Sequence, residues 1–142
     1  MKVVNESKTL KNEVKTFLVK PVIDQLMRVI LYSSTKKGIF LINDVCPDVK
    51  TKNDLNILAL VLGNLLKDAI SFSEDDCIRI SSNDNGEIVV SSKKNYLARN
   101  SSFIVGVDSL QIIAQRLGTP VSISGSFVNG TEILVSFNKN AA

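Results

Sequence analysis

The 142-residue sequence contains no histidine. That absence removes histidine acid–base catalysis, histidine metal ligands and any phosphohistidine carried on this chain. Ser-His-Asp and Cys-His mechanisms go with it. No stretch approaches eighteen consecutive apolar residues, so nothing in the sequence reads as a membrane-spanning helix. The N-terminal MKVVNESKTLKNEVK lacks the continuous apolar core of a secretory signal. Cysteine is scarce: Cys46 and Cys77 stand alone, without CxxC spacing. They predict two half-buried thiols in a reducing cytoplasm and not a disulfide framework. Aromatic residues make up 6% of the chain and the net charge is only +3, too little to argue for a nucleic-acid surface.

What is present is a chain 44% hydrophobic and 22% charged, enough for one globular domain with a real core. Residues 1–13 read as a polar leader or stalk, and 14–142 as the domain. VKTFL (14–18) is a candidate short strand. Pro21 then suits a helix's first turn, and PVIDQLMRVILYSS supplies an amphipathic helix to about residue 34. IFLINDV (39–45) has the branched residues and near-alternation of a strand, and CPDVKTKND is a connector. Asp54 can cap a helix running from Leu55 to about Phe72. CIRISS (77–82) and EIVVSS (87–92) flank NDNG, a hairpin signal. A polar loop over 93–103 leads to a helix over 108–117, then a second hairpin around Asn129-Gly130. The order predicts an α+β two-layer sandwich, a mostly antiparallel sheet covered by helices on one face.

The Leu55–Phe72 helix carries the chemistry question. At 100° per residue, Leu58, Leu62, Leu65 and Ala69 form a core face. Asn64, Asp68 and Ser71 cluster within about 60° of one another on the other side. Ile57, Leu60 and Val61 occupy the first half of that side, so the helix reads as buried all round at its start. The polar stripe is either a wet surface or the wall of a pocket. In a pocket, an Asn oxygen and an Asp carboxylate four residues apart can hold a hard cation such as Mg²⁺.

The stretch KKGIFLINDVCPDVKTKNDLNILALVLGNLLKDAISFS resembles the ATP-binding domain of sensor histidine kinases, which show a strand after "KGI" and a helix ending in N-L-L-x-N-A-I-K-F. The later hairpin, loop, helix ending QRLG and closing hairpin with Asn129-Gly130-Thr131 follow the family's order, so the resemblance covers roughly 14–138. It implies ATP and Mg²⁺ as cofactors. Asp68 stands where the family's Mg²⁺-holding Asn is found, with Asn64 one turn earlier, and Ser71 takes a position that is often basic. Ser92 falls near the Asp of D-x-G-x-G, which accepts a hydrogen bond from the adenine amino group, while Lys94 and Tyr96 fall near its glycines. IVGVDSLQII matches the glycine-rich G-x-G-L-G-L with Gly106 alone retained, and Asp108 or Ser109 is placed to cap the helix that follows. Gly130 and Thr131 complete the nucleotide set, and Lys93, Lys94 and Arg99 are candidates to add positive charge.

The function so implied is the ATP-binding domain of a two-component kinase, donating phosphate to a histidine on a separate dimerisation module. Its partners would be that His-bearing module and a response regulator, with no nucleic acid and no membrane contact by this chain. The expected location is the cytoplasm, including the cytoplasmic part of a membrane-anchored sensor. The alternative is a docking or regulatory module of the same fold that works without nucleotide, suggested by Asp68, Ser92, Asp108 and the missing glycines.

Overall fold

The computed structural model describes residues 16–52, 54–118 and 121–137. The polar leader over 1–13 lies outside the described residues. The chain runs through β1 (Phe17–Leu18), α1 (Val19–Lys36), β2 (Phe40–Asp44), β3 (Lys50–Thr51), α2 (Leu55–Ser71), β4 (Cys77–Ser82), β5 (Ile88–Ser92), α3 (Ser101–Arg116), β6 (Ser122–Ser126) and β7 (Thr131–Ser136). The main sheet has the order β2-β4-β5-β7-β6; β2 pairs with β4 in parallel and every other pairing is antiparallel. The α+β two-layer arrangement expected from the sequence is the one observed.

Period-two alternation explains which face the helices cover. Ile78 and Ile80 of β4, Ile88 and Val90 of β5, and Ile133 and Val135 of β7 are all buried. Their neighbours Cys77, Arg79 and Glu132 point to the open face and are exposed. On the covered face, α1 packs on β2 and α2, α2 packs on α3, and α3 packs on β6. Leu58, Leu62, Leu65 and Ala69 are at most 1% exposed, as their spacing predicts. Each such leucine contributes about 1.5–3 kcal/mol through burial. The start of α2 is less enclosed than expected: Val61 is buried, but Leu55 and Leu60 are each 40% exposed.

Several boundaries differ from the sequence reading. Helix α1 begins at Val19 and places Pro21 third, still inside the turn whose N–H groups have no intrahelical partner. β3 was not anticipated in the CPDVKTKND connector; it pairs with β1, Phe17 opposite Thr51. The second hairpin joins its strands through Phe127–Gly130, so Asn129-Gly130 form the second half of a four-residue connection and not a two-residue turn by themselves. Both cysteines are free and exposed, not half-buried.

The largest departure is at α3, which begins at Ser101 and not at Asp108. Phe103, Val107, Leu110 and Ala114 form one stripe at helical spacing, and all four are buried. That stripe carries the helix back by two turns. The Asn100 side chain accepts a hydrogen bond from Phe103 N at 2.9 Å and caps the helix. Asp108 and Ser109 are therefore mid-helix and cap nothing. The far end of α2 is held from another segment. Its last turn has no basic residue, but Lys37 Nζ donates to the carbonyls of Ile70 and Ser71 at 2.8 and 2.6 Å. A cation there complements the negative end of the helix dipole.

Candidate functional site

Two close approaches orient α2. A Cβ on Gly63 would meet Leu26 of α1 at 3.8 Å, so that side faces α1. A Cβ on Gly106 would meet Asp68 Oδ2 at 3.2 Å, so Asp68 faces α3. The 100° rule then sets Asn64 on the α3 side too, with Ser71 further round. The polar stripe turns towards α3. Helix α2 ends just before β4, Ile78 of β4 pairs with Ser92 at the end of β5, and α3 starts soon after. The end of α2 and the start of α3 thus lie at the same end of the sheet, and the two helices run antiparallel.

Asn64 is exposed, and its Nδ2 donates to Leu60 O at 2.7 Å, one turn back. Its side-chain oxygen stays uncommitted. Asp68 is half-buried and, among the described residues, its carboxylate has neither a hydrogen bond nor an ion pair. Ser71 is exposed at the helix end. The described residues hold no group of three or more Asp, Glu, Cys or His placed to grip a metal. Asn64 and Asp68 therefore supply at most a two-oxygen platform, which suits Mg²⁺ that takes its remaining ligands from phosphates and water.

At the end of the sheet, a second set of polar groups is buried. Ser92, last in β5, lies directly across from Thr131, first in β7. They are 4% and 2% exposed. The Ser92 hydroxyl donates to Oδ2 of Asp76, which is itself only 5% exposed; Asp76 Oδ1 accepts from Cys77 N at 2.7 Å. Among the described residues, the buried Thr131 Oγ1 and Ser73 Oγ have no hydrogen-bond partner. Buried hydroxyls almost always have a partner, and leaving one unpaired costs about 1–3 kcal/mol. Gly130 makes the Ser92–Thr131 approach feasible. Its φ is +80°, and a Cβ there would lie 2.5 Å from Ser92 O. The structure thus brings Ser92, Gly130 and Thr131 together at one place and sets Asn64, Asp68 and Gly106 along the α2–α3 seam.

Asp76 was not among the residues singled out from sequence. The signal for it is three-dimensional: its carboxylate reaches Ser92 from the residue just before β4. The nearby loop is pinned by Lys94 Nζ, which donates to Asp75 O, and by the buried Leu97. Lys93 and Arg99 are exposed.

Four clefts of about 390–550 Å³ open on the surface. None is lined by Asn64, Asp68, Ser71, Ser92, Gly106, Gly130 or Thr131, but one of about 420 Å³ is lined by Lys94, Asn95, Tyr96 and Arg99 of the loop before α3. One of about 520 Å³ sits at the open face of the sheet around Phe40, Cys77, Arg79 and Lys93, touching Asp76 from that side.

Tested against a Mg²⁺-nucleotide, the site fits at two ends and not at the third. The orphaned Thr131 hydroxyl beside Ser92 suits the polar edge of a base, and the unpaired Asp68 carboxylate suits a hard cation. The phosphate end does not fit. Gly106 sits mid-helix, and the α3 N-terminus is already capped by Asn100, so no free glycine-rich helix start faces an anion.

No protein-family model matches the chain, and no curated protein matches it. Solved structures do, and they show the fold, which is that of the histidine-kinase catalytic domain. The catalytic domain of the histidine kinase ThkA superposes with a TM-score of 0.67 at 19% identity, covering 89% of this chain and 97% of that one. Acinetobacter baumannii histidine kinase AdeS gives 0.67 at 14% identity over 94% and 72% of the two chains. Full-length ShkA in complex with AMPPNP gives 0.59 at 18% identity, covering 92% of this chain and 33% of ShkA. Among the described residues no helix is long and apolar enough to cross a membrane.

Proposed function

We propose that this chain is the nucleotide-binding domain of a histidine-to-aspartate signalling protein. ATP binds along the α2–α3 seam, its base end at Ser92 and Thr131 beside Gly130 and its Mg²⁺ at Asp68 and Asn64. Ser71 and Gly106 border the same seam. Bound Mg²⁺-ATP supplies a transferable phosphoryl group, and the acceptor is a histidine on a separate dimerisation module, since this chain has none. A response regulator is the downstream partner. The two free cysteines suit a reducing compartment such as the cytoplasm.

The observation that carries this reading is the buried, unpartnered Thr131 hydroxyl set against Ser92. Support also comes from the fold and from ShkA, which is described with AMPPNP bound. Amide spectra of the labelled chain titrated with Mg²⁺-ATP test it. Saturable shifts confined to the ends of α2, β5 and β7 are expected. Shifts elsewhere, or none, count against the site.

A second reading has its own observation. Helix α3 runs on from Ser101 and lays Gly106 against Asp68, covering the seam that a nucleotide would enter. In that reading the domain docks its partners without nucleotide, and spectra unmoved by Mg²⁺-ATP would still respond to the His-bearing module.

A further inference from the structure

A serine hydroxyl is ambivalent: it offers one hydrogen to donate and two lone pairs to accept. At Ser92 that ambivalence is removed. The hydroxyl hydrogen is committed to Asp76 Oδ2, and Asp76 is in turn held by the Cys77 amide through Oδ1. Asp76 and Ser92 are largely buried, 5% and 4% exposed. What Ser92 has left to present is acceptor capacity, next to a carboxylate that strengthens it. Directly across the strand pair, the Thr131 hydroxyl has no partner among the described residues and can complement a neighbouring ring atom.

We propose that Asp76 is a specificity-determining positioning residue. By holding the Ser92 hydrogen, it makes the buried end of the site an acceptor for an exocyclic amine. An adenine ring presents an amino group there; a hypoxanthine ring presents a carbonyl at the same position. The carbonyl would set lone pairs against lone pairs. Asp76 is the residue just before β4, so the carboxylate absent at Ser92 itself is supplied from the segment leading into the neighbouring strand. The inference rests on the nucleotide-binding reading of this site.

The test compares equilibrium binding of Mg²⁺-ATP and Mg²⁺-ITP to the wild-type chain and to Asp76→Asn, by calorimetry. An asparagine amide can donate to Ser92 Oγ and free its hydrogen to point at the ligand. The wild type is expected to prefer ATP by roughly tenfold or more, and Asp76→Asn to bring the two affinities close together. If Asp76→Asn weakens both nucleotides alike and leaves their ratio unchanged, the proposed role is overturned and Asp76 is structural only. Thermal melting shows whether that variant is folded. If it is not, Ser92→Ala keeps Asp76 and removes the acceptor; it too is expected to lose the preference, and a retained preference overturns the proposal. A wild type that binds both nucleotides equally contradicts the role of Asp76 while leaving the nucleotide site standing. A wild type that binds neither defeats the nucleotide reading and this inference together.

Discussion

Gly106 of α3 lies over the carboxylate of Asp68 on α2, so close that a single added methyl group would stand 3.2 Å from Oδ2. The missing side chain at 106 lets the backbone of α3 approach that carboxylate this closely. Gly106→Ala separates two effects of opposite sign. Alanine favours the helix by about 0.8–1 kcal/mol, while Asp68 must shift by a few tenths of an ångström. The expected result is a melting temperature held or slightly raised, with affinity for Mg²⁺-ATP lowered several-fold. Melting curves and calorimetry on the same sample check both halves.

In the proposed site, Asp68 would set a negative charge near a triphosphate where an amide would not. Two unit charges near a protein surface interact by roughly 1–4 kcal/mol. Asp68→Asn keeps the oxygen ligand and drops the charge, so Mg²⁺-ATP should bind more tightly by about fivefold or more. Asp68→Ala removes the ligand as well and should bind less tightly than Asp68→Asn.

Gly130 is required by its backbone. At φ +80° a side chain is strained by about 1–2 kcal/mol, and its Cβ would lie 2.5 Å from Ser92 O. Gly130→Ala should lose about 2–4 kcal/mol in total, read as a lower denaturant midpoint at unchanged slope. A loss below about 0.5 kcal/mol would contradict the close approach of β5 and β7 at this point.

The start of α3 can be located by mutation. Asn100→Ala deletes the observed cap and should cost about 1 kcal/mol. Asp108→Ala, mid-helix and exposed, should change stability by less than about 0.5 kcal/mol. Chemical denaturation of the two variants decides between a helix beginning at 101 and one beginning at 108.

That helix start also marks where the sequence stops being readable. The core face of α2 and both hairpins follow from local rules, because Leu58, Leu62, Leu65 and Ala69 repeat at helical spacing and NDNG and Asn129-Gly130 are turn signals. The beginning of α3 does not, because Ser101 and Ser102 are polar and Gly106 is a poor helix former. What holds that turn is the tertiary burial of Phe103 and Val107, invisible to propensity. β3 was missed for a related reason: two residues pairing with β1 make no periodic pattern. At the site, the stripe of Asn64, Asp68 and Ser71 was legible from helical geometry, but its direction was not. Gly63 against Leu26 and Gly106 against Asp68 fix it towards α3. Asp76 was hidden altogether, since its relation to Ser92 spans sixteen residues and depends on the β4–β5 pairing.

The central claim is that this domain holds Mg²⁺-ATP although its phosphate end is capped by its own chain. Isothermal titration of the chain with Mg²⁺-ATP tests it most directly. The account predicts saturable heats with a dissociation constant at or below about 1 mM, equivalent to roughly −4 kcal/mol, and weaker binding when EDTA removes the metal. Flat heats across that range would contradict it and leave the nucleotide-independent docking module as the function of the fold.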